Sequence, residues 1–314
     1  YGLRTQCCHT GLGCSWSQGE TDMSTKDRVL HAMSRSDVVR RAYGACRSVP
    51  MLGDGLARVV RAALPPNTRI GIQIPEGHGR GFWMHADPRF ELGYSNGDYE
   101  PWIQELLKAE LRPGGCYYDV GAHYGFFCLI AMRFLGASGA VVALEPDPQN
   151  AAILKAHVAR NHLNKVNVVE AAVWSSAGQM TFEQASEASN RTQGKISPDG
   201  NGESSLISVP AVRLDDLVFA EGHRAPDLIK MDVEGAEWEA LQGARKVLTE
   251  IKPKWLCEVH DPSQLGQIRA HFEQFDYRAE EWKPIHPHYA DYRQIYLWAV
   301  PNRPIARHQG GNNN

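Results

Sequence analysis

Two stretches of the sequence carry side chains whose types and spacing can do chemistry. The first is Asp119-Val-Gly-Ala-His-Tyr-Gly125, with Glu145 following 20 positions after Gly125. Gly121 and Gly125 carry no Cβ, so the backbone there can pass close to a ligand. Asp119 sets a carboxylate beside that turn, and a positively charged amino-acid tail would suit it better than a pyrophosphate. An acidic residue at the place of Glu145 is positioned to accept hydrogen bonds from two ribose hydroxyls. The small Ala172, in Glu170-Ala-Ala-Val173, offers a surface against which an adenine can lie. His123 sits in the middle of the glycine turn and either lines the ligand or caps the helix that follows. Asp147 and Pro148 read as the N-cap and first turn of a helix. A nicotinamide dinucleotide is the obvious rival ligand. Its G-x-G-x-x-G fingerprint is missing, because Ala122, His123 and Tyr124 fill the space between the glycines.

The second stretch pairs Asp232 and Glu234 with Glu258 and His260. Residues two apart on a strand point to the same face. Neighbouring strand ends can therefore gather three carboxylates and an imidazole around one point. Such a group suits removal of a proton from a hydroxyl, an assistance worth roughly 10²–10⁴-fold. Asp232 or His260 is the expected base, with Glu234 and Glu258 positioning the acceptor. Carboxylates and His can also hold a divalent cation, but the spacing does not demand one and no metal is assigned. Glu237 reads as an acid favoured at a helix start.

These residues need a scaffold, and the chain alternates strand and helix around them. The strands expected are 116–121, 140–145, 166–173, 227–232 and 254–260, with helices at 125–135, 148–162, 237–250 and 262–275. Runs such as Ala140-Val-Val-Ala-Leu144 are apolar throughout, which implies a parallel sheet covered on both faces. Two further strands, 277–283 and 294–300, are expected to close the chain as an antiparallel hairpin. The fold class is therefore α/β, a seven-stranded doubly wound sheet ending in that hairpin. Residues 26–112 form an expected extension of helices and short strands, and 113–303 the main domain. Residues 1–25 read as a non-native or disordered leader, with a start near Met23, and 304–314 as a disordered tail. Residues 184–205 are polar and read as a flexible insertion.

Composition sets the outer limits. The chain has 314 residues, 43% hydrophobic and 22% charged, with a formal net charge of -3. Nothing there marks a nucleic-acid binder, and none is expected as partner. No apolar run approaches a membrane span. The seven cysteines form no disulfide framework, which points to a reducing cytoplasm.

The segment Asp227-Leu-Ile-Lys-Met-Asp-Val-Glu-Gly-Ala-Glu237, taken with Asp119-Val-Gly-Ala122, resembles the FkbM family of methyltransferases. Tyr99-Glu100, Leu214-Asp-Asp-Leu217 and Glu258-Val-His260 also look like family features. The resemblance covers roughly residues 94–300. It implies a class I, Rossmann-like S-adenosylmethionine fold and methyl transfer, usually to an oxygen, with sugar and macrolide hydroxyls among the acceptors. It also implies cofactor contacts at Asp119, Gly121, Gly125 and Glu145. One departure is His123, where the family commonly carries Asn. The expected activity is O-methylation of a sugar, glycan or secondary-metabolite hydroxyl. The rivals are a methyltransferase acting on nucleic acid or protein and a non-catalytic cofactor-binding module. The Asn/Asp-Pro-Pro-Tyr motif of amino-group methyltransferases is absent.

Overall fold

The computed structural model describes residues 69–87, 92–184, 194–197, 205–284 and 294–303. The expected leader, residues 26–68 of the expected extension, the tail and most of 184–205 lie outside the described residues. Two short strands open the described chain, β1 (Ile70–Gln73) and β2 (Trp83–Ala86), before helices α1 (Leu92–Asn96) and α2 (Pro101–Glu110). Regular alternation follows: β3 (Cys116–Val120), α3 (Phe126–Leu135), β4 (Ala140–Leu144), α4 (Pro148–Arg160) and β5 (Val166–Val169). Next come four strands, β6 (Ala172–Val173), β7 (Gly178–Glu183), β8 (Lys195–Ile196) and β9 (Leu206–Val212), and helix α5 (Leu214–Phe219). The chain then runs through β10 (Leu228–Met231), α6 (Glu237–Gln242), β11 (Lys254–Val259), α7 (Leu265–Gln274), β12 (Tyr277–Trp282) and β13 (Ile295–Pro301).

Seven of these strands form the main sheet, in the order β12-β13-β11-β10-β3-β4-β5. All pairs are parallel except those of β13, which runs antiparallel to both β11 and β12. This is the doubly wound α/β architecture expected of a class I methyltransferase, terminal hairpin included. The chain builds outward from β3 to β4 and β5, then returns to add β10 and β11 on the other side. Strand order therefore reverses between β3 and β10, and ligands of such sheets bind at that switch, beyond the carboxyl ends of the strands.

Alternation along the strands divides the core into two layers. Tyr117, Leu228, Leu256 and Tyr296 pack on the side of α2 and α3. Tyr118, Ile229, Met231 and Cys257 pack on the side of α5, α6 and α7. Ile74, Met84, Trp102 and Ile103 lie in the same buried cluster as Leu129 and Ile130. The apolar core is thus continuous across the boundary expected between residues 112 and 113.

Three expectations about elements need correction. The strand read over 166–173 breaks after Val169, and Ala172–Val173 joins a separate four-stranded sheet, β6-β9-β7-β8. That sheet was not read from the sequence, although Leu206–Val212 partly alternates between exposed and buried positions. The helix read over 237–250 stops at Gln242. Gly243 lies against the Trp174 carbonyl too closely for a Cβ. The chain resumes as a π-helical turn, Val247–Ile251, whose first N–H groups donate to the buried Asp215 carboxylate. The helix read over 262–275 begins as a 3-10 turn, Pro262–Gln264, before α7.

Gly121 ties the two halves of the sheet together at the switch. Its φ is +83°, and a Cβ there would collide with the carbonyl oxygen of Asp232, just beyond β10. Gly121→Ala is expected to cost roughly 2–4 kcal/mol, from left-handed strain of about 1–2 kcal/mol and overpacking of about 1–3 kcal/mol. Gly178→Ala is the control, since a Cβ there meets nothing within 4 Å. Urea denaturation of both variants checks this, and an equal, small change in the two would refute the close approach.

Candidate active site

The turn after β3 is held by backbone hydrogen bonds and one carboxylate. The Gly121 and Ala122 N–H groups both donate to the Leu144 carbonyl, at 3.0 and 2.9 Å. The His123 N–H donates to Glu145 Oε2 at 2.7 Å, and the Asp147 N–H to Oε1 at 2.9 Å. Glu145 therefore fastens the turn after β3 to the turn after β4 while its side chain still borders the cleft. A carboxylate oxygen accepts more than one hydrogen bond, so this leaves acceptor capacity for a ligand. Burial pushes its carboxyl up to about 7 against the two N–H donors.

His123 has φ +50°. Among residues with a Cβ, Asn, Asp and His are enriched in that conformation, so a His can stand where the family commonly has Asn. Its ring stacks on Tyr124, with centroids 3.6 Å apart, and Nδ1 lies 3.4 Å from the Tyr94 hydroxyl. The capping role considered for it is not seen, because the N-cap of α3 is Gly125 and no side chain caps it. Asp147 is the cap expected, accepting from the Gln149 N–H at 2.8 Å. Gly121, His123, Glu145, Ala172, Asp232 and Glu234 all line one cleft at the switch point. Asn150, Phe182 and Ile196 line it too, and the sequence did not mark them. Ile196 escaped because it lies in the stretch read as an insertion, and Phe182 because the strand Gly178–Glu183 before that stretch was not read. Asp119 does not border the cleft. It is 1% exposed, behind the turn, where it accepts from the Cys128 thiol at 3.1 Å.

The second cluster converges on one nitrogen. His260 Nε2 lies 3.6 Å from Asp232 Oδ1, 3.6 Å from Glu234 Oε2 and 3.7 Å from Glu258 Oε1. All four residues named at the strand ends are thus brought together. Glu237, read only as a helix-start acid, is fully buried, and its Oε1 accepts from His260 Nδ1 at 2.7 Å and from the Gly235 N–H at 3.0 Å. That bond fixes the ring so that Nε2 faces the three other carboxylates. Burial works against charge on the imidazole, but the Glu237 hydrogen bond and the Asp232 and Glu234 carboxylates outweigh it and raise the pKa to about 9. His260 is then an imidazolium at neutral pH. Asp232 is the ionised member: burial opposes its charge, and Lys230 and His260 pull its pKa down. Burial, Asp232 and Glu100 push Glu258 up to about 9, which keeps that carboxyl protonated.

Lys230 is the cation behind this cluster, a role that nothing local to it signals beyond its place in the Lys230–Glu237 run. It is 3% exposed and its Nζ donates to Asp232 Oδ2 at 3.0 Å. It sits in register with Asp119 across the sheet and 5.2 Å from the centroid of the Phe127 ring. Glu100, at φ +39°, joins from the start of α2 and accepts from the Tyr296 hydroxyl at 3.2 Å. Burial disfavours the Lys230 ammonium, but Asp232, then Asp119 and Glu100, hold it charged. Lys230→Met is expected to cost about 3–5 kcal/mol, because it leaves buried carboxylates without their cation. Those carboxylates can be neutralised by protons, so the loss should be larger at pH 8 than at pH 6. Denaturation midpoints at the two pH values check this, and a loss independent of pH would assign it to packing alone.

A family model described as "Methyltransferase FkbM domain" matches residues 119–279, just over half of the chain. The 31-O-demethyl-FK506 methyltransferase FkbM of Streptomyces tacrolimicus is 32% identical over 192 residues, which cover 51% of this chain and 72% of that protein. The hexuronic acid methyltransferase AglP of Haloferax volcanii is 28% identical over 169 residues, covering 53% and 66%. The 2-O-methyltransferase NoeI of Sinorhizobium fredii is 28% identical over 163 residues, covering 48% and 65%. The matched span contains the glycine turn, Glu145 and the whole carboxylate–imidazole cluster, and the chain belongs to the FkbM family of methyltransferases.

Proposed function

We propose that this methyltransferase uses S-adenosylmethionine and places the methyl group on a hydroxyl of a sugar, glycan or secondary metabolite. The observation that carries the reading is that Asp232 and Glu234 line the same switch-point cleft as Glu145 and the glycine turn, with His260 and Glu258 gathered behind them. The relatives named above support an oxygen acceptor, since their names place the methyl on the 31-oxygen of a natural product, on a hexuronic acid and on a 2-oxygen. Among the described residues no helix is long and apolar enough to cross a membrane. Cys128 and Cys257 are free thiols buried in the core, which supports action in a reducing compartment such as the cytoplasm.

The residues present fit the cofactor. Glu145 has acceptor capacity for the ribose hydroxyls, Gly121 and Gly125 keep the turn low, and Ala172 leaves room for a flat ring. Asp119 acts from behind the turn, as buried negative charge toward a cationic tail. When bound, S-adenosylmethionine supplies an electrophilic methyl group on a sulfonium. The chain's part is to hold an acceptor oxygen in line with that methyl carbon, and positioning of this kind supplies much of the rate. Asp232, ionised and at the cleft wall, draws the hydroxyl proton as the new C–O bond forms. A hydroxyl oxygen becomes strongly acidic once alkylated, so a weakly basic carboxylate is sufficient for that transfer. Glu234 and the protonated Glu258 then position the acceptor by hydrogen bonds.

Calorimetry with the full chain tests the cofactor half. S-adenosylmethionine is expected to bind, and a nicotinamide dinucleotide is not. Binding of the dinucleotide alone would overturn the assignment. The ribose hydroxyls need an ionised acceptor, and the Glu145 carboxyl is raised to about 7. Affinity should therefore fall as the pH drops below 7, approaching tenfold per unit. Glu145→Gln should bind more weakly and lose that pH dependence. An unchanged profile in the variant would remove Glu145 from the ribose site. A screen of sugars and hydroxylated metabolites, read as methylated product, tests the acceptor half.

A further inference from the structure

We infer that Asp232, Glu234 and His260 form a binding site for one divalent cation of the Mg²⁺ or Mn²⁺ class. One ligand atom from each lies within 4.8 Å of the other two. They come from two adjacent strand ends, beyond β10 and beyond β11, rather than from one flexible loop. Glu237 fixes the imidazole through Nδ1, and an ion bound at Nε2 would displace the proton that the metal-free imidazolium carries there. A buried carboxylate on the far nitrogen of a metal-binding histidine is the usual device for aiming the ring and setting its tautomer.

The distances support an ion better than a direct hydrogen-bond network. Nε2 stands 3.6–3.7 Å from three carboxylate oxygens, beyond hydrogen-bond reach of all three. Ligand atoms about 2.1 Å from a shared ion lie about 3.0–3.5 Å apart, so the two nitrogen–oxygen distances of 3.6 Å need to close by only a few tenths of an ångström. Asp232 Oδ1 is buried and accepts no hydrogen bond, which ordinarily costs about 1–3 kcal/mol. The other oxygen of Asp232 is already taken by Lys230, so the free one faces the imidazole and Glu234. Two carboxylates and one imidazole suit Mn²⁺ and Mg²⁺ better than soft metals. Glu234 is 32% exposed at its side chain and lines the cleft with Asp232. The open coordination positions thus face the cleft and can accept water or an oxygen of the acceptor.

This deepens the proposed methyl transfer and rests on it for its consequence, although cation binding itself does not. With an ion held by Asp232, Glu234 and His260, a bound acceptor hydroxyl would become more acidic, and its proton would pass to water at the partly exposed Glu234 rather than to Asp232 as the C–O bond forms and the sulfonium C–S bond breaks. The alternative is that the carboxylates face only the sulfonium charge of the cofactor.

Titration of the full chain with Mn²⁺, followed by loss of the free-ion EPR signal, tests the site without cofactor or acceptor. One ion per chain is expected, displaced by excess Mg²⁺. Glu234→Gln, at a partly exposed position that tolerates change, and His260→Gln should each weaken binding at least tenfold. Glu237→Gln should weaken it about 10–100-fold through the imidazole. Calorimetry with S-adenosylmethionine on the same samples shows that each variant is folded. No bound Mn²⁺ at millimolar concentration, or equal binding in wild type and both ligand variants, overturns the site. Failure to bind S-adenosylmethionine while Mn²⁺ still binds counts against the proposed function and leaves the cation site standing.

Discussion

The ammonium of Lys230 is the charge on which the carboxylate–imidazole cluster of this protein depends. It lies in the middle strand of the sheet, 3% exposed, with Asp119 in register on one neighbouring strand. A lone buried cation would be neutralised rather than kept. Here the surrounding carboxyls of Asp232, Asp119 and Glu100, Asp232 foremost, hold it charged. The relation works in both directions, because the same ammonium keeps Asp232 ionised while burial drives Glu258 toward the neutral form. One buried lysine therefore sorts neighbouring carboxyls into different protonation states, which is how an active site obtains distinct roles from chemically similar groups.

The cofactor half is organised differently. There a single carboxylate, Glu145, accepts backbone N–H groups from two separate turns, His123 and Asp147. The geometry is carried by main chain: positive φ at Gly121, His123 and Gly125, and carbonyl Leu144 receiving two donors. A binding surface built from backbone is insensitive to most side-chain changes. That explains why His can replace Asn at position 123 without rebuilding the turn. The left-handed conformation is the constraint, and both residues meet it.

Much of this was legible in the sequence, for physical reasons. The parallel sheet announced itself through apolar runs such as Ala140–Leu144, which only a doubly covered strand can bury. Asp232, Glu234, Glu258 and His260 could be grouped because residues two apart on a strand share a face and β10 and β11 are neighbours. Glu237 was misjudged because an acid at a helix start has a sufficient local explanation, and nothing local reveals that its side chain reaches His260 from the next strand. Lys230 was hidden for the opposite reason: in a strand otherwise apolar, its value depends on partners far away in sequence. The β6–β9 sheet was missed because its strands are short or amphipathic, and the polar stretch between β7 and β9 drew the eye instead. Asp119 was expected beside the ligand from its place in the chain, and its depth was not legible there: strand alternation turns it toward α3 and away from the cleft.

These two halves meet at Asp232, and the meeting explains the fixed spacing of the Lys230–Glu237 run. Lys230 and Asp232 share a strand face, so the ammonium can clamp one carboxylate oxygen and leave the other turned outward. The chain must then reverse at once, because Gly121 presses against the carbonyl of Asp232. Glu234 at φ +51° and Gly235 at φ +98° make that reversal. The reversal returns Glu237 beneath the tip of the next strand, where it grips His260. Moving any of these residues by one position would turn a carboxylate into the core or leave the imidazole without its anchor. The most recognisable stretch of the sequence is therefore the shortest path by which one strand end can supply a clamped carboxylate, an open one and a support for its neighbour's histidine.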